Sequence, residues 1–109
     1  MTYKAIADMV KSFGLPYAYY QFEEGSGQQP PFAVFYYPDR NDFRADDRNY
    51  VKIPTLKIEL YTDNKDFVKE DEIEEILDRN ELTYEKDEAY IESEKMYQVV
   101  YTMEVVING

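Results

Sequence analysis

From Met96 to Ile107 the chain alternates without a break. Tyr97, Val99, Tyr101, Met103, Val105 and Ile107 fall on one side, and Gln98, Val100, Thr102, Glu104 and Val106 on the other. A period of two over that length specifies a strand with one wholly apolar face. Such a strand needs neighbours along its edges and a cover over the apolar face. It therefore predicts a central position in a sheet packed on one side.

The cover is legible as two helices. Tyr3, Ile6, Val10 and Phe13 recur at 3-4-3 spacing, which predicts a helix over 2–13 with Thr2 as its N-cap. Gly14 stands where a left-handed C′ residue is wanted, and Pro16 forbids continuation. The second helix starts at Asp66 or Lys69 and ends at Arg79. Its stripe is Ile73, Ile76 and Leu77, joined by Phe67, and Asn80 is the expected C′ residue. Acidic residues crowd its first turns, where the helix dipole favours them.

The remaining segments read as strands. Tyr17–Glu23 and Phe32–Tyr37 predict a hairpin around the Gly25-Ser26-Gly27 turn, with Pro30 and Pro31 at the second strand's start. Tyr50–Thr62 reads as one long strand with Leu56, Ile58 and Leu60 facing the core and Pro54 marking a bend. Thr83–Glu92 turns back through Ser93–Lys95 into the final strand. Residues 39–49 carry four Asp, three Arg and two Asn. A helix there would align Arg40, Arg44 and Arg48, but Asp46-Asp47 and the asparagines favour a loop, and we read a mobile excursion. The expectation is a single α+β domain over 1–109. It has two layers, a mostly antiparallel sheet of about five strands and two helices, in the order α-β-β-β-α-β-β.

Composition removes most chemistries. There is no Cys and no His among 109 residues. That excludes thiolate metal sites, disulfides, cysteine nucleophiles and histidine general bases. Asp39, Asp42, Asp46 and Asp47 lack the central Gly and terminal Glu of a calcium loop, and three Arg compete for them. Glu59 and Glu104 lie within strands, on phases that solvent exposure explains. Glu70, Glu72 and Glu75 fall on what reads as an exposed helix face. The Gly-Ser-Gly stretch has no Lys and opens no helix, so it is a turn rather than a phosphate loop. No enzyme, cofactor or metal is expected, and no apolar run approaches the ~20 residues of a membrane span.

Charge and tyrosine carry the rest. Residues 63–94 hold 14 of the 23 acidic residues against 4 basic ones, in a chain of net charge −11. A pI near 4.3 argues against holding nucleic acid through its phosphates. Twelve Tyr, Tyr36, Tyr37, Tyr50 and Tyr61 among them, exceed what one small core must hold, and Tyr with Arg is enriched at protein interfaces.

The series "GLPYAYYQF" (14–22), "PPFAVFYYP" (30–38), "LKIELYTDNKDF" (56–67) and "YIESEKMYQVVYTMEVVI" (90–107) resembles small neck proteins of tailed phages and prophages. Within these it is similar to the tail-terminator, or tail-completion, family. The resemblance implies a structural role. Family members form homo-oligomeric rings, commonly hexamers, that cap the tail tube protein and present a surface to the head-side connector protein, while DNA passes through the lumen. It implies synthesis in the host bacterial cytoplasm and a final place in the virion neck. The candidate interface is Tyr36, Tyr37, Asp39, Arg40, Asp42, Phe43, Arg44, Asp46, Asp47 and Arg48. The alternative reading is an acidic DNA mimic that occupies a basic host or defence protein, as the carboxylates on 63–94 suggest.

Overall fold

The structure, a computed structural model, describes residues 1–108. Helix α1 covers Tyr3–Lys11, and its N-cap is Thr2, whose Oγ1 accepts the Ala5 N–H at 3.0 Å. Gly14 follows at φ +75°, a conformation open to glycine at little cost, and turns the chain into β1 (Tyr17–Tyr19). Then come β2 (Phe32–Tyr36), β3 (Phe43–Ala45), β4 (Arg48–Val51), β5 (Thr55–Thr62), α2 (Phe67–Arg79), β6 (Glu85–Ile91) and β7 (Met96–Glu104).

The main sheet has the order β1-β2-β5-β7-β6 and is antiparallel except at one pair. Strand β7 lies between β5 and β6, the interior place its alternation requires. Ile58 of β5 sits opposite Tyr101 of β7, and Leu60 opposite Val99. These residues form one core with Ile6, Met9, Val10 and Phe13 of α1 and Ile73 and Leu77 of α2. Both helices thus cover the same face, giving two layers and leaving the other sheet face open. The α+β architecture is as the sequence predicts.

The local corrections have physical causes. The expected first hairpin is instead a parallel pair, with Tyr17 opposite Ala33 and Tyr19 opposite Phe35. A parallel pair needs a crossover of roughly a dozen residues, and 20–31 supply it. Tyr20 at φ +69° ends β1 early, while its N–H donates to the Phe35 carbonyl at 2.8 Å.

Residues 39–49 are not a loose excursion. They lead into a second, two-stranded sheet in which Ala45 faces Arg48 across Asp46-Asp47, with φ of +53° and +60°. Two consecutive left-handed residues make a turn whose twist matches a hairpin, and Asp tolerates that conformation better than most side chains. The long strand expected over 50–62 breaks between Val51 and Thr55, where Pro54 pairs with Arg40 in an isolated bridge. The element order therefore gains two strands.

At the end of α2, Asn80 is the C-cap at φ −90° and Glu81, at φ +58°, takes the left-handed position. Phe67 does not join the apolar stripe. It opens the helix 67% exposed, with Lys65 Nζ 4.7 Å above its ring.

The radius of gyration is 15.0 Å with extents of 49 × 30 × 22 Å. About 13 Å is usual for a compact chain near this size. The β3–β4 hairpin is a sheet of its own and belongs to neither layer.

Candidate functional site

The hairpin has a rigid root. The Asp42 side chain is only 4% exposed. Its carboxylate accepts the Ile53 N–H at 3.0 Å, an Arg40 guanidinium N–H at 2.6 Å and the Asn49 amide at 2.8 Å. The backbone bond from Ile53, aided by Arg40, holds Asp42 below the usual carboxylate range. Asp39 accepts the Thr55 hydroxyl at 2.5 Å. Asp39, Arg40 and Asp42 are therefore anchors that set the angle at which the hairpin leaves the sheet.

Beyond the root the hairpin is free. Phe43 is 57% exposed and Tyr50 61% exposed. Arg48 lies over the Tyr50 ring, 5.9 Å from its centroid. Neither Arg44 nor Arg48 has a carboxylate within ion-pair distance among the described residues. An isolated two-stranded ribbon is marginal in water. Here it displays aromatic and guanidinium groups that its own fold does not use. Tyr50, exposed on the same hairpin, is missing from the sequence-based set of candidate interface residues. The signal for it was Phe43-x-Ala45 and Arg48-x-Tyr50, period two on both sides of Asp46-Asp47.

Tyr36 and Tyr37 part company because neighbours on a strand point to opposite faces. Tyr37 lies on the helix side against Tyr3, 5.1 Å between centroids, and burial pushes its hydroxyl up to about 12. Tyr36 lies on the open face and donates to Glu59 Oε2 at 2.6 Å. Tyr61 donates to Glu59 Oε1 at 2.6 Å, and Gln98 donates to the Tyr61 oxygen at 2.8 Å. Phe32 stacks on Tyr61 with centroids 4.8 Å apart. Glu59, read in sequence as simply solvent-facing, is thus half-buried at the centre of a tyrosine network. Burial first, and then the bond to Glu59, pushes Tyr61 up to about 12 and raises Tyr36 as well. No part of this cluster offers a nucleophile or an acid–base pair.

A third feature overturns the exposed reading of Glu70. It is 1% exposed, between Lys65 Nζ at 2.5 Å and Lys86 Nζ at 3.0 Å. The Lys86 contact is off the hydrogen-bond direction, which leaves Oε1 without a formal donor. Lys65 also pairs with Glu88, and Lys86 with Glu74 at 2.7 Å. Tyr101 donates to Glu74 at 2.9 Å. This network rivets α2 to the β6–β7 hairpin. Burial opposes the charge on Lys86, but Glu74 and Glu70 outweigh it and push the ammonium up to about 12. A lysine so held is a poor base and a poor nucleophile.

A pH dependence follows. Tyr37, Tyr61 and Lys86 all rise from ordinary values of 10.0 or 10.5 to about 12 on folding. Their stabilisation is complete below pH 10 and is lost as pH rises toward 12, because the unfolded chain gives up those protons first. Far-UV circular dichroism should show an alkaline unfolding transition inside that window, together with tyrosinate absorbance. A chain folded through pH 12 would refute the network's contribution.

Where the hairpin leaves the sheet, a depression of about 400 Å³ lies between Thr83, Tyr84 and Glu85 on one side and Thr102, Met103 and Glu104 on the other. Thr102 pairs with Glu85 across the β6–β7 ladder, and Glu104 is two residues further along β7, so both carboxylates project on the open face. Neither has an ion-pair partner among the described residues, and Glu104 accepts only a long 3.3 Å bond from Asn41. Nothing in the sequence signals this pairing, which depends on strand register.

No protein-family model matches this sequence, and no curated protein is significantly similar to it. Among the described residues no helix is long and apolar enough to cross a membrane, and no three carboxylates converge as a metal ion requires. What the geometry does offer is exposed surface: an aromatic-arginine hairpin outside the main sheet, an open aromatic sheet face and an acidic flank.

Proposed function

We propose that this chain is a structural subunit of a phage or prophage neck, of the tail-terminator kind. In this reading it assembles with copies of itself into a ring, caps the tail tube and meets a head-side connector protein. The observation that supports it is the free hairpin. Phe43, Arg44, Arg48 and Tyr50 have the composition of an interface hot spot, yet they contribute nothing to the domain's own core. A rigid root with an unsatisfied tip is what a subunit needs in order to grip a neighbour. The carboxylates of α2 would flank the channel, where like charge lets DNA slide without sticking. The chain acts without cofactor, metal or catalytic residues, from the bacterial cytoplasm to the virion neck.

Replacing residues 43–48 with a short Gly-Ser turn, which spares Asn49 and its bond to Asp42, tests the reading. The expected variant keeps its far-UV spectrum and its unfolding midpoint, since the excised part lies outside the core. Tail tubes polymerised in its presence should overrun their normal length by electron microscopy. Tubes capped as before would remove the hairpin from the mechanism.

One observation favours a second reading, the acidic decoy. Lys65, Lys69 and Lys86 are all tied to carboxylates of their own segment. Asp71, Glu75 and Asp78 on α2 remain unpaired among the described residues. That reading requires a salt-sensitive complex with a basic nucleic-acid-binding protein, which the ring does not.

A further inference from the structure

We infer that the free edge of β6 accepts an extended basic segment of a partner protein as a further strand of the main sheet, with its cationic side chains beside Glu85 and Asp87. This goes beyond the proposed function and does not rest on the ring.

The edge comes first. The main sheet ends in β1, three residues long, and in β6, seven residues long. Strand β6 is exposed from Glu85 to Tyr90. Beyond its ladder with β7, no backbone bond reaches residues 85–90 from the rest of the described chain. An edge strand presents its outward N–H and C=O groups in a row, and an extended chain satisfies them by pairing.

Charge decides what kind of chain. Glu85 and Asp87 pair with Thr102 and Val100 of β7, so both side chains lie on the open face. Phe67, Asp71, Glu74 and Asp78 recur at 4-3-4 spacing and share one flank of α2. Glu74 shows where that flank points, since it accepts the Tyr84 hydroxyl at 3.2 Å and pairs with Lys86 at 2.7 Å. The other flank turns away, and there Lys69 donates to the Phe13 carbonyl at 3.2 Å. Asp71 and Asp78 therefore lie on the β6 side of the helix layer. They and the Glu85–Asp87 pair bracket the edge from its two faces. None of the four has an ion-pair partner among the described residues. Lys65 and Lys86 are already held by Glu70, Glu74 and Glu88. Arg79 follows Asp78 off this flank, and Lys95 shares the 92–95 turn with Glu92 and Glu94. A strand added here meets carboxylates on both of its faces, and Lys or Arg at alternate positions complements Glu85 and Asp87 directly.

A second copy of β6 is the wrong occupant. Two such strands side by side would bring Glu85, Asp87 and Glu88 of each against those of the other, with both Lys86 side chains already taken. Like charges across a strand pair are destabilising. The carboxylates thus close the edge to copies of β6 and leave it open to a strand of opposite charge.

Fluorescence anisotropy tests this with a labelled peptide the length of β6, carrying Lys at alternate positions and Val or Thr between. It should bind the wild-type chain, bind less tightly as salt rises, and slow amide exchange along β6. Glu85→Lys/Asp87→Lys, with an unchanged far-UV spectrum, should weaken binding at least ~10-fold. Glu72→Lys/Glu75→Lys makes the same charge change away from the edge and should weaken it less than ~3-fold. Two more peptides leave the protein untouched, each N-methylated on one of the two alternate sets of backbone nitrogens. Only one set faces β6, so one peptide should bind like the parent and the other at least ~10-fold more weakly. No binding, equal binding by both methylated peptides, or equal loss from the two charge variants would overturn the inference. Equal binding would leave only attraction to a diffuse negative surface, as the decoy reading requires. Protection of the β6 amides in the chain alone, released on dilution, would also overturn it by placing a second copy on the edge.

Discussion

Ile58→Ala should remove about 3–5 kcal/mol of stability, the upper part of the range for truncating a buried isoleucine. Ile58 is fully buried on β5, the middle strand of five, and faces Phe35 on one neighbour and Tyr101 on the other. Strands on both sides and helices above leave little room for the cavity to collapse. Domains of this kind are stable by only ~5–15 kcal/mol, so the loss should shift a urea midpoint far enough to see directly. Phe43→Ala, on the exposed hairpin, is the control and should stay within about 0.5 kcal/mol of wild type. A loss below ~1.5 kcal/mol for Ile58→Ala would mean that the core relaxes around the site.

Glu70→Gln should cost about 2 kcal/mol, although it keeps the side chain's shape. Breaking a fully buried ion pair costs ~3–5 kcal/mol because the partner is left uncompensated. Here the two lysines are partly exposed and retain Glu88 and Glu74, which lowers the expected loss. Glu72→Gln on the same helix removes only an exposed pair with Lys69 and should change stability by under ~0.5 kcal/mol. Equal effects from the two substitutions in chemical denaturation would show that Glu70 acts as just another surface carboxylate.

These two residues also show what could be read ahead of the structure. Ile58 was legible because a strand's period of two depends on nothing beyond its neighbours in sequence. The same holds for the Thr2 cap, the Gly14 stop and the alternation that placed β7 inside the sheet. Glu70 was not legible. It lies among Asp71, Glu72, Glu74 and Glu75, and only its burial between Lys65 and Lys86 distinguishes it from them. The parallel pairing of β1 was missed because glycine-rich turns look the same whether the next strand returns beside its predecessor or crosses over. At the candidate site, the charged run 39–49 marked a segment outside the main sheet, but its composition concealed a hairpin. The alternation there spans only two or three residues on each side of the turn. The Glu85–Glu104 depression depends wholly on register between two strands.

The place of β7 bears on how the chain comes to be folded at all. Strand β5 pairs with β2 on one edge and waits on the other for β7, which follows the six other strands along the chain. Until it arrives, a nascent chain carries a central strand with one edge open and the apolar side chains Leu56, Ile58 and Leu60 only partly covered. The sheet cannot close progressively from the N-terminus. Completion is a single late event that inserts β7 and brings β6 with it. During translation the chain therefore passes through an aggregation-prone form before β7 emerges.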